Sequence, residues 1–527
     1  MTDEEGVGSP TVLDPAHPDV RPSRTRIAIP PPPPYSARVS RSSAIVPALL
    51  VAVGALVVLR VGLLAASPLD LHGDEAQYYA WSRELAAGYY SKPPLIAWII
   101  AGSTALFGTG EWAVRMWSPL THGLAALFVF AAGRTLFDAR TGAWAALTYV
   151  LLPGIVVSSA VASTDALLLM FVALFLWAWA ELRQRRCSVR WVYVLGLAAG
   201  LGVMSKYAMA FILVGFIGVL IADPESRKRV NLARALVVFV IVAAIVQPNI
   251  EWNLANDFAT AGHTLANANL GAELLNPWQG AEFALSQLAV AGAALPLILW
   301  AAAKGWRRPD TRALAVFTLV PLAAILIQAV LSRANANWAA SAYAPGALLV
   351  AAVCVRRQMW KWLQAMVGAN ALVALFLTVV ALLPPLADGL GLANSFKRVR
   401  GWDETAAQLA ARARESGART VAVDNRITFY ALDYYGGGEA APLRAWQMEA
   451  APRSHAELTR PLEPGAPEPI LFVNYHREHL QRVKADFAEL IPLPPLRVEL
   501  GGGRVRELDL FLARGYRRAP RPLPSED

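Results

Sequence analysis

Charged residues and cysteines are both scarce in this chain of 527 residues. Only 17% of the residues are charged, against about 25% in ordinary soluble domains. The two cysteines, Cys187 and Cys354, cannot form the disulfide framework of a small secreted protein. Both adjoin basic segments that we expect in the cytoplasm, where thiols stay reduced, so we predict no functional role for either.

Hydrophobic residues are correspondingly abundant: they make up 56% of the chain, and the mean hydropathy is +0.40. They occur between residues 44 and 383 in runs of about twenty, the length that a helix needs to cross about 30 Å of hydrocarbon. This pattern predicts a polytopic membrane protein and excludes a soluble enzyme. The net charge of +9 does not indicate a nucleic-acid partner, because basic residues gather in the cytoplasmic loops of membrane proteins.

The distribution of basic residues predicts the topology. Residues 1–43 are polar, include the run Pro30–Pro34, and are predicted to form a disordered cytoplasmic tail. Basic residues then cluster in alternate loops, while the later outside connections hold only Lys206 and Arg333. This bias requires an odd number of spans, and we predict eleven: 44–66, 113–133, 141–159, 163–182, 191–205, 207–223, 234–249, 281–303, 313–331, 338–355 and 362–384.

The chain therefore divides into a membrane domain, residues 44–386, and a C-terminal domain, residues 387–527. Within the membrane domain, the outer loop 68–112 is too long for a turn and contains the short apolar stretch Leu95–Phe107, predicted as an interfacial or re-entrant helix. In the C-terminal domain, helical stretches at 403–415 and 477–488 alternate with short β-type runs at 420–424, 470–475 and 507–512, which predicts a small α/β domain. The odd number of spans places this domain outside, in the periplasm of a bacterial inner membrane.

Charged residues at the predicted outer edge are the first candidates for chemistry. Asp74 and Glu75 follow the first span and lead into a helix with an aromatic face that includes Tyr78. The alternative is a helix cap with an aromatic belt at the membrane interface. Lys92, stiffened by the two prolines after it, would lie near these carboxylates and could neutralise a phosphate, or it is a snorkelling lysine.

Further polar residues lie on the same predicted side. Asp165 opens the fourth span and either faces the same cavity as Asp74 or is an ordinary acid at a helix start. Lys206 is a second phosphate contact or a topological stop. Trp252 and Asn253 directly follow the seventh span, which predicts a loop folding over a cavity.

No aspartate, glutamate, lysine or arginine occupies the centre of any predicted span, although a carrier of ions or protons would need such charged groups. This placement favours chemistry at the outer surface on a substrate delivered through lipid, with a transporter or lipid flippase as the alternative. Gly501–Gly503 lacks the lysine and spacing of a phosphate loop. His476 and His479 form a pair only weakly able to bind metal, and a solvated helix start is favoured.

These motifs, in their order, resemble the GT-C glycosyltransferases, and more narrowly the bacterial glycosyltransferase family 39/83. That group includes dolichyl-phosphate-mannose–protein mannosyltransferase-like enzymes and the aminoarabinose transferases of lipid A. The motifs that carry the resemblance are Asp74-Glu75-Ala-x-Tyr78, Gly-Tyr-Tyr-x-Lys-Pro-Pro-Leu at 88–95, Asp165, Gly202-x-x-Ser205-Lys206-Tyr207, Pro248-Asn-x-x-Trp252-Asn253 and Asn337-Trp338-Ala-Ala.

The resemblance implies an inverting transferase that uses a sugar on a polyprenyl phosphate and an envelope lipid, polysaccharide or protein as acceptor, at the periplasmic face. Asp74 matches the catalytic base, Lys92 the lysine on the donor phosphate and Asp165 the second acid. A divalent metal is the one cofactor that it suggests, with Asp74 and Asp165 as candidate ligands. Ser91 stands where the aminoarabinose transferases have a metal-binding glutamate. The predicted site therefore has these roles: Asp74 and Asp165 catalytic, Lys92 and Lys206 on the donor phosphate, and Glu75, Tyr78, Tyr90, Trp252 and Asn253 in the substrate cavity.

Overall fold

The structure is a computed structural model that describes residues 35–184, 188–268, 275–436 and 441–521. Residues 1–34 of the predicted N-terminal tail and Cys187 lie outside these residues, and the first helix begins at Tyr35, earlier than the predicted end of the tail at residue 43. The fold is mainly helical, as the apolar runs predict, with a small sheet near the C-terminus. The α-helices before the sheet domain are Tyr35–Ala65, Gly73–Ser82, Leu95–Phe107, Glu111–Arg115, Trp117–Leu136, Ala139–Val150, Pro153–Ser159, Thr164–Arg183, Arg190–Ser205, Met209–Ala222, Pro224–Arg229, Leu232–Ala255, Ala259–Ala268, Pro277–Ala291, Ala294–Gly305, Pro309–Leu331, Tyr343–Arg356 and Trp360–Leu382, with a 3-10 helix at Ala336–Ala342.

Seven helices in the described part of the chain are long and apolar enough to cross a membrane, or up to nine if each of two bent pairs is one span. The first pair, Ala139–Val150 and Pro153–Ser159, is bent by 64°, and the second, Pro277–Ala291 and Ala294–Gly305, by 105°. Proline at the first break explains the bend, because it cannot continue the preceding helix. The other two predicted spans fall on shorter apolar helices, so the count of eleven stays a prediction.

The helices form an inner group and an outer group. In Ala336–Arg356, 89% of the most apolar window is buried within the protein, whereas in Leu232–Ala255 only 6% is. An apolar helix whose residues are mostly exposed needs lipid around it, so the outer group marks the surface that faces the membrane. Cys354 is a buried free thiol in the inner group.

The C-terminal domain is built on one five-stranded sheet, whose strands are Thr420–Val423 (β1), Leu443–Ala445 (β2), Ile470–Asn474 (β3), Phe487–Gly501 (β4) and Arg504–Tyr516 (β5). The strand order is β2-β1-β3-β5-β4. Its first three strands are parallel, and the last two form an antiparallel hairpin through Gly501–Gly503, which gives this glycine run a structural role in a tight turn. The helices of this domain are Pro384–Gly389, Ala393–Phe396, Trp402–Glu415, Arg426–Tyr435, His455–Thr459 and Leu480–Asp486, with a 3-10 helix at Arg477–His479.

The C-terminal domain lies directly on the outer loop of the membrane domain. Tyr434 donates a hydrogen bond to the carbonyl oxygen of Thr109 at 2.7 Å, and Tyr435 accepts one from the backbone N–H of Leu71 at 2.7 Å. The contact at Gly73 is so close that a Cβ there would come within 2.3 Å of Cγ2 of Ile427. This docking brings the start of helix Arg426–Tyr435 against the start of helix Gly73–Ser82.

Candidate active site

Helix Gly73–Ser82 begins with a capping box at the outer end of the membrane domain. The ring Nδ1 of His72 accepts a hydrogen bond from the N–H of Asp74 at 3.2 Å, and the carboxylate of Glu75 accepts one from the N–H of His72 at 2.8 Å. The helix-cap interpretation of this motif is therefore correct for Glu75. It does not account for the carboxylate of Asp74, which points into a cavity.

Glu75 is fully engaged in holding the loop together. Arg115 binds it through two nitrogens, at 2.8 and 2.7 Å, and the backbone N–H of Ala162 donates a further hydrogen bond at 2.7 Å. Both side chains of the ion pair are almost completely buried, 2% and 3% exposed. Glu75 contributes to the cavity wall, but its carboxylate anchors the helix.

Asp74 has a different environment. Its side chain is 43% exposed to the cavity, and Oδ1 accepts a hydrogen bond from Arg426 of the C-terminal domain at 2.8 Å. Burial would raise the pKa of this carboxyl group, but the positive charge and hydrogen bond of Arg426, together with the charge of Lys92, outweigh that effect and lower the pKa. Asp74 is therefore ionised at neutral pH.

Lys92 lies in a short turn in which the N–H of Tyr89 donates to the carbonyl oxygen of Lys92 at 3.2 Å. Among the described residues, no carboxylate lies within ion-pair distance of its ammonium group. Burial and the nearby charge of Lys206 lower the pKa of Lys92. A half-buried lysine without a carboxylate partner is suited to bind an anion.

Asp165 and Lys206 bind each other, with 2.6 Å between Oδ1 and Nζ. The other carboxylate oxygen of Asp165 accepts a hydrogen bond from Asn337 at 2.8 Å. The sequence places these three residues far apart, and the structure brings them together in one wall of the cavity. Both of their charges are compensated locally, in contrast to Lys92.

Two cavities meet at Lys92 and Lys206, which lie in the walls of both. The polar cavity, of about 560 Å³, contains seven of the nine predicted site residues: Asp74, Glu75, Tyr78, Tyr90, Lys92, Asp165 and Lys206. The apolar cavity, of about 340 Å³, is lined by Pro93, Ala208, Phe211, Ala324 and Ile325 among others. The arrangement suits an amphipathic ligand with its anionic group between a polar and an apolar part.

Trp252 and Asn253 do not line either cavity. Trp252 packs on the backbone at Gly88, where a Cβ would come within 2.5 Å of the indole ring. Asn253 donates to the carbonyl oxygen of Asn249 at 2.9 Å, and Asn249 in turn donates to that of Ala87 at 2.8 Å. These residues pack behind the turn that contains Lys92 and support it. They can do so because helix Leu232–Ala255 continues past the predicted end of its span and runs alongside this turn.

The C-terminal domain contributes residues to the site that the sequence patterns did not indicate. Arg426, Arg453 and His455 line the polar cavity. A signal for Arg426 exists, since it follows β1 at the carboxyl edge of the parallel strands, where α/β sheets usually bind ligands.

The positive charges of the cavity also act on His263 in its wall. Burial and the charges of Lys92 and Arg426 together lower the pKa of His263 to about 4, so this ring is neutral.

A metal ion would have to compete with these cations. Asp74 and Asp165, the candidate ligands, are already bound to Arg426 and Lys206, so this donor set fits a metal poorly. In the described ranges, a group of three potential ligands lies elsewhere, in the C-terminal domain, where ligand atoms of His476, Glu478 and His479 are within 4.8 Å of one another. A metal at the predicted site stays a prediction, and no catalytic step is derived from it.

Comparison with known proteins supports the same architecture and chemistry. Residues 91–252 match the family model of dolichyl-phosphate-mannose-protein mannosyltransferases. The chain is 35% identical over 382 residues to the lipid A galacturonosyltransferase RgtD of Rhizobium johnstonii, covering 70% of this chain and 78% of that protein. It is 30% identical over 224 residues to an undecaprenyl phosphate-α-4-amino-4-deoxy-L-arabinose arabinosyl transferase of Pseudomonas fluorescens, covering 38% and 40% of the two chains.

A solved structure gives the same fold. ArnT from Cupriavidus metallidurans, bound to undecaprenyl phosphate, superposes with a TM-score of 0.62 over 88% of this chain and 97% of that chain, at 15% identity. This likeness confirms the predicted fold class, an α-helical GT-C membrane domain with a small C-terminal sheet domain. At this level of identity it shows the fold alone.

Proposed function

Because the chain belongs to the family of membrane glycosyltransferases that includes the lipid A galacturonosyltransferase RgtD, we propose that it transfers a sugar from a polyprenyl phosphate to a lipid A or lipopolysaccharide acceptor. Membership of this family decides against the transporter or flippase alternative. The observation that carries the proposal is the junction of a polar and an apolar cavity at Lys92. Such a junction suits a lipid-linked sugar phosphate.

The donor would lie across this junction. Its first isoprene units enter the apolar cavity, its phosphate contacts the ammonium group of Lys92, and its sugar lies in the polar cavity. Lys206 adds positive charge on the phosphate side while Asp165 holds it in place, at 2.6 Å. Asp165 thus acts in the proposal as a positioning residue, through Lys206 and Asn337.

Asp74 would act as the general base. Its carboxylate removes the proton of the acceptor hydroxyl while that oxygen forms a bond to the anomeric carbon from the side opposite the phosphate. The bond between the anomeric carbon and the phosphate oxygen breaks, and its electron pair remains on the phosphate, which Lys92 stabilises. The reaction inverts the anomeric configuration and needs no covalent intermediate.

The charge of the cavity favours an acidic sugar. Four cationic side chains line it: Lys92, Lys206, Arg426 and Arg453. Three carboxylates line it as well, but Glu75 is neutralised by Arg115, so only Asp74 and Asp165 remain to balance the four cations. Among the named relatives, a galacturonosyl group carries a carboxylate and an aminoarabinosyl group carries an amine. We therefore propose a hexuronic acid as the sugar.

The orientation follows from the same proposal. The N-terminus would lie in the cytoplasm and the C-terminal domain in the periplasm of a bacterial inner membrane, as the positive-inside bias predicts. The active site then opens at the periplasmic surface, where the C-terminal domain covers it. A reporter fused to the C-terminus that is active only in the periplasm tests this orientation directly.

The enzymatic proposal is tested with purified protein, undecaprenyl-phosphate galacturonic acid and lipid A. We expect wild type to attach one hexuronic acid to lipid A and Asp74→Asn to lose at least about a thousandfold in kcat. Glu84→Gln, an exposed carboxylate of the same outer loop, serves as the matched control and should retain activity. Equal activity of Asp74→Asn and wild type would refute the assignment of the base.

A further inference from the structure

Arg426 is placed at the catalytic base by the C-terminal domain. It is the first residue of helix Arg426–Tyr435, whose N-cap Asn425 accepts a hydrogen bond from the N–H of Thr428 at 2.9 Å. From this position the guanidinium group of Arg426 reaches across the domain boundary to Asp74 at 2.8 Å and also binds the side-chain oxygen of Gln77. The neighbouring contact between Ile427 and Gly73 fixes the distance between the two helices.

The pair between Arg426 and Asp74 opposes the role of Asp74 as a base. A carboxylate that is stabilised by a guanidinium group holds a proton less readily, so proton transfer to Asp74 becomes less favourable. The pair is nevertheless accessible: the side chains of Arg426 and Asp74 are 37% and 43% exposed to the cavity. A second carboxylate entering the cavity could therefore take the place of Asp74 on Arg426.

We propose that Arg426 is the residue that selects an acidic sugar, by exchanging its bond with Asp74 for a bond with the sugar carboxylate. This inference rests on the proposed function and specifies how the same site recognises its donor. The exchange frees Asp74 to accept the proton of the acceptor only when the correct sugar is bound. A neutral sugar leaves the Arg426–Asp74 pair in place, so selection acts on the chemical step as well as on binding.

The other cations of the cavity are less suited to this role. Lys206 is bound to Asp165, and Lys92 is needed for the phosphate. Arg453 is bound to Glu449 at 2.7 Å, and its side chain is 61% exposed. Arg426 combines a position at the base, access to the cavity and a planar group that binds a carboxylate through two nitrogens.

The test compares two donors that differ only at the sugar carboxylate: undecaprenyl-phosphate galacturonic acid and undecaprenyl-phosphate galactose. We expect wild type to prefer the galacturonosyl donor by about a hundredfold in kcat/KM, the range of one charged hydrogen-bonded pair. In Arg426→Gln, transfer of galacturonic acid should fall by about that factor, while transfer of galactose should rise because Asp74 is no longer paired. Arg426→Lys should recover part of the preference.

A second readout separates selection from a structural role. With the galactosyl donor, the loss of rate at low pH should move to higher pH in Arg426→Gln, because removal of the guanidinium group raises the pKa of Asp74. Arg477→Gln removes an exposed arginine of the same domain, bound to Asp509 at 2.9 Å, and should change neither the donor preference nor the pH profile.

Two results would overturn the inference: equal losses with both donors in Arg426→Gln, or a wild type that prefers galactose. Arg426→Lys keeps the test decisive if Arg426→Gln folds poorly, because this variant preserves the positive charge that contacts Asp74. Failure of the proposed function is distinguishable, because wild type would then transfer neither sugar.

Discussion

Two adjacent carboxylates, Asp74 and Glu75, each bind an arginine, yet the two pairs differ in every other respect. The pair of Glu75 and Arg115 lies within the membrane domain, is buried and has two direct bonds, whereas the pair of Asp74 and Arg426 crosses the domain boundary and is open to the cavity. Neighbouring residues of one motif thus divide the work. One fixes the helix, and the other remains able to change its partner.

The largest expected difference between the two pairs is in their contribution to the stability of the fold. Glu75→Gln leaves Arg115 as a buried charge without its partner and should lower the free energy of unfolding by about 3–5 kcal/mol. Asp74→Asn breaks a partly exposed pair and should lower it by at most about 1 kcal/mol. Thermal unfolding in detergent measures both, and equal shifts for the two variants would show that the pairs do not differ as described.

Lys92→Met sharpens the comparison between the two lysines. It removes the cation that has no carboxylate partner in the described chain, and we expect a loss of about a hundredfold in kcat/KM for the donor. The affinity for lipid A should stay unchanged. Lys304→Met, an exposed lysine at the far end of a membrane helix, is the matched control and should behave as wild type. An effect on acceptor affinity alone would argue against a phosphate contact.

Asp165→Asn should have a smaller effect, because it acts through other residues. The variant keeps a hydrogen-bonding side chain near Asn337 but loses the charge that holds Lys206, and we expect about a tenfold loss in kcat/KM for the donor. Asp310→Asn removes the acid of a comparable pair, with Arg356 at 3.0 Å, and serves as the control. A complete loss of activity in Asp165→Asn would instead indicate direct participation of Asp165 in the reaction.

The smallest effect is expected for Trp252→Ala. The indole supports the backbone at Gly88, four residues before Lys92, so its loss should displace that turn slightly. We expect KM for the donor to rise by about tenfold or less, with kcat little changed, because geometry is disturbed and no reacting group is removed. Leu254→Ala, an exposed neighbour on the same helix, should leave KM unchanged, and a loss confined to kcat would contradict the supporting role.

The sequence alone predicted the features that depend on local pattern. Apolar runs located the helices, and Leu95–Phe107 has the bounds that the pattern indicated. Strands β1 and β3 are buried apolar runs and were also predicted. Strand β4 was not predicted, because Pro492, Pro494 and Pro495 interrupt its pattern; the sheet tolerates them since β4 is an edge strand.

The contacts between distant residues could not be predicted in the same way. Glu75 binds Arg115 across 40 positions, and Asp74 binds Arg426 across 352. Neither spacing carries a signal in one sequence, because the partners meet only through the packing of helices and the docking of a second domain. The charges at the outer edge therefore indicated the location of the site but not which carboxylate would be anchored and which would face the substrate.

The most direct test of the central claim is mass spectrometry of lipid A from a strain that lacks this protein and is complemented with either wild type or Asp74→Asn. We predict that wild type restores a species heavier by one hexuronic acid, and that Asp74→Asn, present in the membrane at the same level, does not. Restoration of that species by both proteins would contradict the account, because sugar transfer would then proceed without the proposed base.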